Sequence, residues 1–198
     1  MSTGLPVNPR YGVPGISWSD LVAIEANVGR WYQTLNTRAS RKGTPAMEYG
    51  THVHNMIERG EIELPGVPKG EDPEGTYIVS LKVKNVPRFN LVGTIDDMTD
   101  DGDTILEYKT ARVLWSRQKA EAHGQLFAYA LLRRLATGTT PSRALLVSLE
   151  TAVDEDAGIY LTGNQRVIEV QITELEVLKI QARFIAAYKK VLAYRMDI

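Results

Sequence analysis

The chain has 198 residues, 43% of them hydrophobic and 24% charged, a composition that predicts one compact domain with a substantial core. It contains no cysteine, which excludes disulfides, thiolate zinc sites, cysteine nucleophiles and cysteine-ligated iron–sulfur clusters. The formal net charge of −1 excludes a protein that coats nucleic acid by electrostatics alone, so a nucleic-acid partner would need a local groove.

Neither a leader nor a membrane span is evident in the sequence. The opening residues, MSTGLPVNPRYG, lack the basic start and apolar run of a signal peptide. No stretch approaches the roughly 18 consecutive apolar residues that a spanning helix needs. We therefore expect an intracellular, cytoplasmic protein with no membrane partner.

The N-terminal part of the chain predicts an irregular arm and two helices. Residues 1–15 are rich in Pro and Gly. Ser17 or Ser19 can cap a first helix over residues 19–36, in which apolar residues recur at helical spacing. Thr44 and Pro45 open a second helix that stops at Gly60. Pro and Gly occur throughout residues 61–75, which predicts a loop.

The rest of the chain alternates strands and helices. Strand-like runs at 76–83, 88–97 and 104–110 include a hairpin at the turn DDGD, and Ser116 caps one long helix over 116–138. Further strands are expected at 144–151, 158–163 and 166–172. Thr173 and Glu176 form a capping box before a final helix with Leu178, Phe184, Ile185 and Tyr188 on its apolar side.

This order of elements predicts an α/β fold with a central mixed β-sheet flanked by helices. We expect one domain over residues 1–198. Within it, residues 1–43 would form the arm and first helix, and residues 44–198 the core with its C-terminal helix.

The stretch GTIDDMTDDGDTILEYKT concentrates the most informative side chains. Glu107 and Lys109 are two residues apart on a strand and share a face, and the hairpin can bring Asp96 beside them. Two carboxylates and an ammonium are costly to bury without a purpose, and holding divalent ions against a phosphodiester provides one. The alternative is a salt bridge on a solvent-facing hairpin.

Two helices carry side chains that would complete such a site. Gly50, His54 and Glu58 lie on one helical face, where His54 can ligate a metal, whereas His52 points nearly the opposite way. Gln125 and Tyr129 are also four residues apart and suit a DNA strand held beside the metals. The alternatives are a helix packed through Gly50 and a solvated Gln125.

The order of these motifs resembles the RecB-like branch of the PD-(D/E)XK nucleases. The residues that carry the resemblance are Gly50 to His54, Gly93 to Asp96, Glu107 to Thr110, and Gln125 to Tyr129. The match covers roughly residues 50–130 and implies a restriction-endonuclease-like core. Many relatives carry four cysteines that bind an iron–sulfur cluster, and this chain has none, so we expect a cluster-free member similar to phage, mobile-element or organellar exonucleases.

The resemblance also implies roles for individual residues. His54, Asp96 and Glu107 would ligate Mg²⁺ or Mn²⁺ together with the backbone carbonyl of Tyr108. Lys109 would be the catalytic lysine. Gln125 and Tyr129 would support the site and contact DNA.

Additional aromatic and basic residues could contact single-stranded DNA. Trp31, Tyr32 and Arg30, with Arg38, Arg41 and Lys42, could form a wall beside the strand, although a Trp-Tyr pair that ends a helix is more often core. Arg112, Trp115 and Arg117 follow the strand that carries Lys109 and could line the entry to the site.

The sequence therefore predicts a Mg²⁺- or Mn²⁺-dependent deoxyribonuclease in DNA repair or recombination, encoded by a cell or by a virus, that acts as an exonuclease on single-stranded or end-containing DNA. Two alternatives stay open at this point. One is a structure-specific endonuclease, and the other is a non-catalytic DNA-binding or assembly module on a nuclease scaffold.

Overall fold

The computed structural model describes residues 5–38, 43–70 and 75–196, except for the side chains of residues 36–38. Its elements are β1 (Val7–Asn8), β2 (Val13–Pro14), α1 (Trp18–Arg38), α2 (Pro45–Glu58), β3 (Gly75–Val83), β4 (Val86–Ile95), β5 (Asp97–Met98), β6 (Thr104–Ala111), α3 (Arg117–Ala122), α4 (Gln125–Thr137), β7 (Arg143–Asp154), β8 (Gly158–Gln171) and α5 (Glu174–Met196). None of the described helices is long and apolar enough to cross a membrane.

The central sheet is mixed, as the sequence predicts. Its order is β5-β6-β7-β8, with β6 and β7 parallel and the other neighbours antiparallel. Parallel strands need a long crossover, and α3 and α4 supply it between β6 and β7. β3 and β4 form a separate two-stranded antiparallel ribbon that leads into β5. The predicted α/β architecture with flanking helices is therefore confirmed.

β6 separates two apolar clusters. Ile105 packs into the larger cluster, which includes residues of α1, α4 and α5. Leu106 and Tyr108 point the other way and pack with Val53 of α2. Because side chains alternate along a strand, Glu107 faces the side of Ile105 and α4. Glu107 therefore lies in the interior of the fold, on the side of the sheet that faces α4.

Local capping residues set the helix starts as predicted. The Oγ of Ser17 accepts a hydrogen bond from Asp20 N at 3.2 Å, and the Oγ1 of Thr44 accepts one from Met47 N at 3.3 Å. α1 is kinked where Asn27 is extended (φ −166°, ψ 104°), and the Asn27 side chain then accepts from Arg30 N at 2.8 Å. The Asn27 side chain therefore caps the second half of the helix.

Three predictions at the level of elements are wrong. The hairpin is short, since only β5 pairs with β6 there, and the long partner of β4 is β3.

The predicted long helix divides into α3 and α4, because His123 is extended (φ −84°, ψ 95°) and Gly124 packs so tightly that a Cβ there would lie 2.5 Å from the Trp18 ring. Leu178 is 45% exposed, and Val177 and Ile180 lie in the core instead.

Asp20 ties the N-terminal arm to α1. Its buried carboxylate accepts hydrogen bonds from Asn8 Nδ2 at 2.6 Å, Ser17 N at 3.1 Å, Ser17 Oγ at 2.6 Å and Trp31 Nε1 at 2.9 Å. Buried carboxylates are stable only when hydrogen bonds replace their lost hydration. The arm continues beside β4, where Ile16 bridges Leu91 in parallel.

We expect Asp20→Ala to lower the free energy of unfolding by about 2–4 kcal/mol, because it leaves several buried donors without an acceptor. Urea denaturation followed by circular dichroism measures the change. Asp156→Ala, the same substitution in an exposed turn, should stay within about 0.5 kcal/mol of wild type. Equal effects from the two variants would contradict the role given to Asp20.

Candidate active site

Asp96 lies at the bend between β4 and β5, where the ribbon joins the central sheet. Its Oδ2 accepts a hydrogen bond from the backbone N–H of Tyr108 at 2.9 Å. This bond fixes the carboxylate against β6, although the two residues are not paired in the sheet register. The structure thus brings Asp96 to the strand that carries Glu107 and Lys109.

Glu107 is 1% exposed, while the Lys109 side chain remains 26% exposed. The Lys109 ammonium forms an ion pair with Glu107 Oε1. The second carboxylate oxygen, Oε2, is buried and receives no hydrogen bond from the described residues. An orphaned buried oxygen is rare in folded proteins and needs an explanation, such as a bound ion.

Burial and, next in size, the neighbouring Asp96 carboxylate raise the pKa of Glu107 to about 8, against the lowering effect of Lys109. Two carboxylates this close cannot both be ionised cheaply in a site with little water. The site therefore tends to hold a proton when no other positive charge enters it.

His54 reaches the same place from α2. Its ring Nε2 lies 2.9 Å from the Tyr108 carbonyl oxygen, which can only accept, so Nε2 carries the proton of that hydrogen bond. Nδ1 lies 3.8 Å from Asp96 Oδ1. Gly50 permits this approach, because a Cβ there would lie 3.1 Å from Thr110 Oγ1. His52 is exposed and its ring lies beside Tyr49 instead.

Gln125 and Tyr129 close the site on the α4 side. The Gln125 amide donates to the Tyr129 hydroxyl at 2.5 Å. Burial, followed by the charges of Glu107 and Asp96, raises the pKa of Tyr129 well above its ordinary value. A neutral phenol therefore lies near the two carboxylates. Gly93 lets α4 pack closely on β4, since a Cβ there would lie 2.6 Å from Leu132 Cδ1.

The donor set fits a hard divalent cation. Carboxylate oxygens, a carbonyl oxygen and one imidazole nitrogen suit Mg²⁺ or Mn²⁺. The buried Glu107 Oε2, which receives no hydrogen bond from the described residues, would be one of the ligand atoms. In the described part of the chain, no three His, Asp or Glu side chains already lie close enough together to hold a metal ion. Binding would therefore draw the His54, Asp96 and Glu107 side chains closer together than they lie here.

The predicted stacking wall on α1 is wrong in its main element. Trp31 is 2% exposed and donates its indole N–H to Asp20, so its ring belongs to the core. Tyr32 is half-buried against Tyr194 of α5. Arg30 is exposed, and no described hydrogen bond or ion pair joins it to the site. Arg41, Lys42 and the Arg38 side chain lie outside the described residues.

The segment after β6 is also more structural than predicted. Trp115 is 9% exposed, its backbone N–H donates to Ser148 Oγ at 3.0 Å, and Lys119 Nζ lies 3.9 Å from the centre of its ring. Arg117 bonds to Glu121 and to the Glu169 carbonyl. Arg112 is exposed, so its predicted contact with DNA stays a prediction.

The sequence reasoning missed His123. Its ring lies between Trp18 and Trp115, with centroids 5.9 Å and 5.0 Å away, and its Nδ1 is buried without a partner among the described groups. Burial, Lys109 and Lys119 lower its pKa to about 4, so the imidazole is neutral at pH 7. The feature of the sequence that could have indicated His123 is its position two residues before Gln125.

Comparison with known proteins gives the family of the sequence and the fold that it shares. A sequence model of the PD-(D/E)XK nuclease superfamily matches residues 69–197, a range that includes Asp96, Glu107, Lys109, Gln125 and Tyr129. No curated protein sequence matches the chain.

Solved structures resemble the whole fold. The structure of a phage related exonuclease from Haemophilus somnus 129PT aligns over 90% of this chain and 84% of that chain, with a TM-score of 0.55 and 14% sequence identity. A candidate exonuclease from Eubacterium rectale aligns over 90% of this chain and 80% of that chain, with a TM-score of 0.53 and 11% identity. Identities this low show a shared fold alone.

The raised pKa of Glu107 predicts a pH-dependent stability. Between the ordinary pKa of 4.5 and the folded value of about 8, the folded protein binds more protons than the unfolded chain. The free energy of unfolding of the metal-free protein therefore falls as pH rises through this window. We expect Glu107→Gln to remove that slope and to stabilise the metal-free protein at pH 8 by on the order of 2 kcal/mol.

Thermal denaturation in EDTA from pH 5 to about pH 8 measures this effect. Glu155→Gln, in the exposed β7–β8 turn, should keep the wild-type slope. A Glu107→Gln variant with the wild-type slope would show that another group takes up the proton.

Proposed function

Because the chain belongs to the PD-(D/E)XK nuclease superfamily, we propose that it is a Mg²⁺- or Mn²⁺-dependent deoxyribonuclease and that it works as an exonuclease on single-stranded or end-containing DNA. The observation that carries the proposal is the pair of adjacent carboxylates, Asp96 and Glu107, with Glu107 Oε2 buried and unpartnered beside an exposed lysine. No purely structural role needs this arrangement, because it costs desolvation energy without a matching ion pair for both charges.

His54, Asp96, Glu107 and the Tyr108 carbonyl would hold the cation. When bound, a divalent ion in such a site neutralises phosphate charge and lowers the pKa of a coordinated water. The Tyr108 carbonyl can serve although His54 donates to it, because a carbonyl oxygen has two lone pairs. The His54–Tyr108 bond keeps the imidazole in the tautomer that leaves Nδ1 unprotonated and directed towards Asp96.

Lys109 would act on the phosphate. Once Glu107 faces a cation, its ion pair with Lys109 weakens, and the partly exposed ammonium is available to stabilise negative charge on the phosphoryl oxygens. Water attacks phosphorus, the bond to the leaving oxygen breaks, and that oxygen takes up a proton. If the chemistry is that of the family, the product carries the 5′-phosphate.

Gln125 and Tyr129 would position the site instead of reacting. Their mutual hydrogen bond and the high pKa of Tyr129 keep an uncharged hydroxyl near Glu107. This excludes water from the buried side of the carboxylates and leaves the Lys109 side open to substrate.

The preference for ends and single strands is supported by charge and by fold. A chain with a net charge of −1 has little long-range attraction for a duplex, which carries about one charge per 1.7 Å of axis. The solved structures that share the fold include proteins named as exonucleases. We further propose that residues 1–198 act as one domain, because the larger of the two apolar clusters in the described residues extends from Leu5 to Val191.

We expect His54→Ala to weaken Mn²⁺ binding at least tenfold, the size of effect that even outer-sphere partners of a metal site produce. His52→Ala, two residues away on the outer face of α2, is the matched control and should bind as wild type. Titration calorimetry measures both. Equal losses would place the metal elsewhere.

Lys109→Ala should keep the metal affinity and lose about 100- to 1,000-fold in kcat, because an ammonium stabilises charge and does not ligate the ion. The same calorimetry beside a cleavage assay with end-labelled DNA tests this separation. A variant that loses metal binding in proportion to rate would overturn the role given to Lys109.

Incubation with linear and closed-circular single-stranded DNA at equal concentrations distinguishes the modes of cleavage. We expect rapid loss of the linear strand and survival of the circle, because an exonuclease needs an end. Rapid cutting of the circle would indicate the endonuclease. Binding without any cutting in the presence of Mg²⁺ or Mn²⁺ would indicate the non-catalytic module.

A further inference from the structure

The β3–β4 ribbon has a charge pattern unlike the rest of the chain. Residues 75–95 contain Lys82, Lys84 and Arg88 and no Asp or Glu, in a protein whose net charge is −1. The segment that follows, residues 96–107, contains six acidic residues and no Lys or Arg. Positive and negative charge are therefore separated along one continuous piece of chain.

The three ribbon cations are exposed, and within the described residues no ion pair involves them. Many exposed cations elsewhere have carboxylate partners: Arg59 with Glu61, Arg117 with Glu121, Arg134 with Glu174, Arg143 with Glu169, Lys179 with Glu176 and Arg183 with Glu25. Surface cations without a partner keep their full charge for a ligand that approaches from solvent.

The ribbon also presents hydrogen-bonding groups between its basic end and the site. Thr76 pairs with Thr94, and Ser80 pairs with Asn90, so these four side chains share one face of the two strands. Ser80 Oγ donates to Asn90 Oδ1 at 2.7 Å, and Asn90 Nδ2 donates to the Pro14 carbonyl at 2.9 Å, so the Asn90 amide is already engaged by the N-terminal arm. The Thr76 and Thr94 hydroxyls, 3.4 Å apart, lie nearest the site, and hydroxyl groups of this kind commonly contact phosphates and sugars.

Thr94 is two residues before Asp96, and Arg88 is eight before it. At about 3.3 Å per residue, the basic end lies about 25 Å from the site along the strand. That length spans several nucleotides of an extended single strand. The acidic site itself repels phosphate until cations fill it, so attraction has to come from elsewhere.

We propose that the face of the β3–β4 ribbon that carries Thr76 and Thr94 is the track on which the DNA backbone approaches the active site, with Lys82, Lys84 and Arg88 binding phosphates several nucleotides from the scissile bond. The inference rests on the proposed function for the identity of the substrate. It replaces the α1 wall, whose Trp31 is buried, as the surface that holds the strand.

A triple variant tests the track: Lys82→Gln, Lys84→Gln and Arg88→Gln in the Glu107→Gln background, which is expected to bind DNA without cutting it. The matched control carries Lys179→Gln, Lys189→Gln and Lys190→Gln on α5, which changes the net charge equally. Fluorescence anisotropy with a labelled single strand of about 30 nucleotides, measured from 50 to 200 mM salt, gives the affinity and its salt slope.

Three lost phosphate contacts should reduce the slope of log K against log salt by about 2, at about 0.7 per contact on a single strand. The affinity near 100 mM salt should fall about 10- to 100-fold. The α5 control should keep the slope and affinity of its parent. A ribbon variant that behaves like the control, or a parent that does not bind DNA, overturns the inference.

Cleavage by proteins with intact Glu107 separates the two proposals. In the ribbon variant, the ratio of kcat/KM for the long strand to kcat/KM for an oligonucleotide too short to span the ribbon should fall at least tenfold. If the wild type cuts both substrates and this ratio does not change, the track is wrong and the nuclease stands. If the wild type cuts neither but the binding result holds, the track stands and the catalytic proposal fails.

Discussion

Placing the Glu107 carboxylate in the interior is the constraint on which the rest of the structure depends. A carboxyl group at 1% exposure in a central strand is stable only if it holds a proton or if neighbouring groups compensate for the loss of water. Lys109, on the same strand, compensates for part of the lost hydration by its ion pair, whereas the Asp96 carboxylate makes ionisation of Glu107 less favourable. Three groups lie around it: Asp96, held by its hydrogen bond from Tyr108 N, the His54 imidazole and the neutral Tyr129 phenol. None of them supplies the positive charge that the two carboxylates lack, so a bound cation would be stabilised there.

Features that depend on neighbours within a few residues could be predicted from the sequence. The caps at Ser17 and Thr44, the shared face of Glu107 and Lys109 and the inward direction of His54 follow from fixed periodicities of strands and helices. The meeting of Asp96 with β6 was also predictable, although the hairpin that produces it is only two residues long on one side.

Features that depend on distant partners could not be predicted. Trp31 has the composition of a stacking residue, but Asp20 accepts its N–H and the aromatic ring fills the core. The break between α3 and α4 follows from Trp18 packing on Gly124, a contact across more than a hundred residues. β4 pairs mainly with β3, the strand that precedes it, a choice that alternation of side chains does not specify.

The parallel pairing of β6 with β7 determines when the site can form during synthesis of the chain. β6 is held between β5 and β7, and β7 begins at Arg143, 32 residues after β6 ends. Such non-local pairing forms late, and chains leave the ribosome N-terminus first. Asp96 and Glu107, both present in the chain by residue 107, are therefore held on a fully paired strand only after β7 has also been made. The site residues take up their final arrangement only when the sheet is complete.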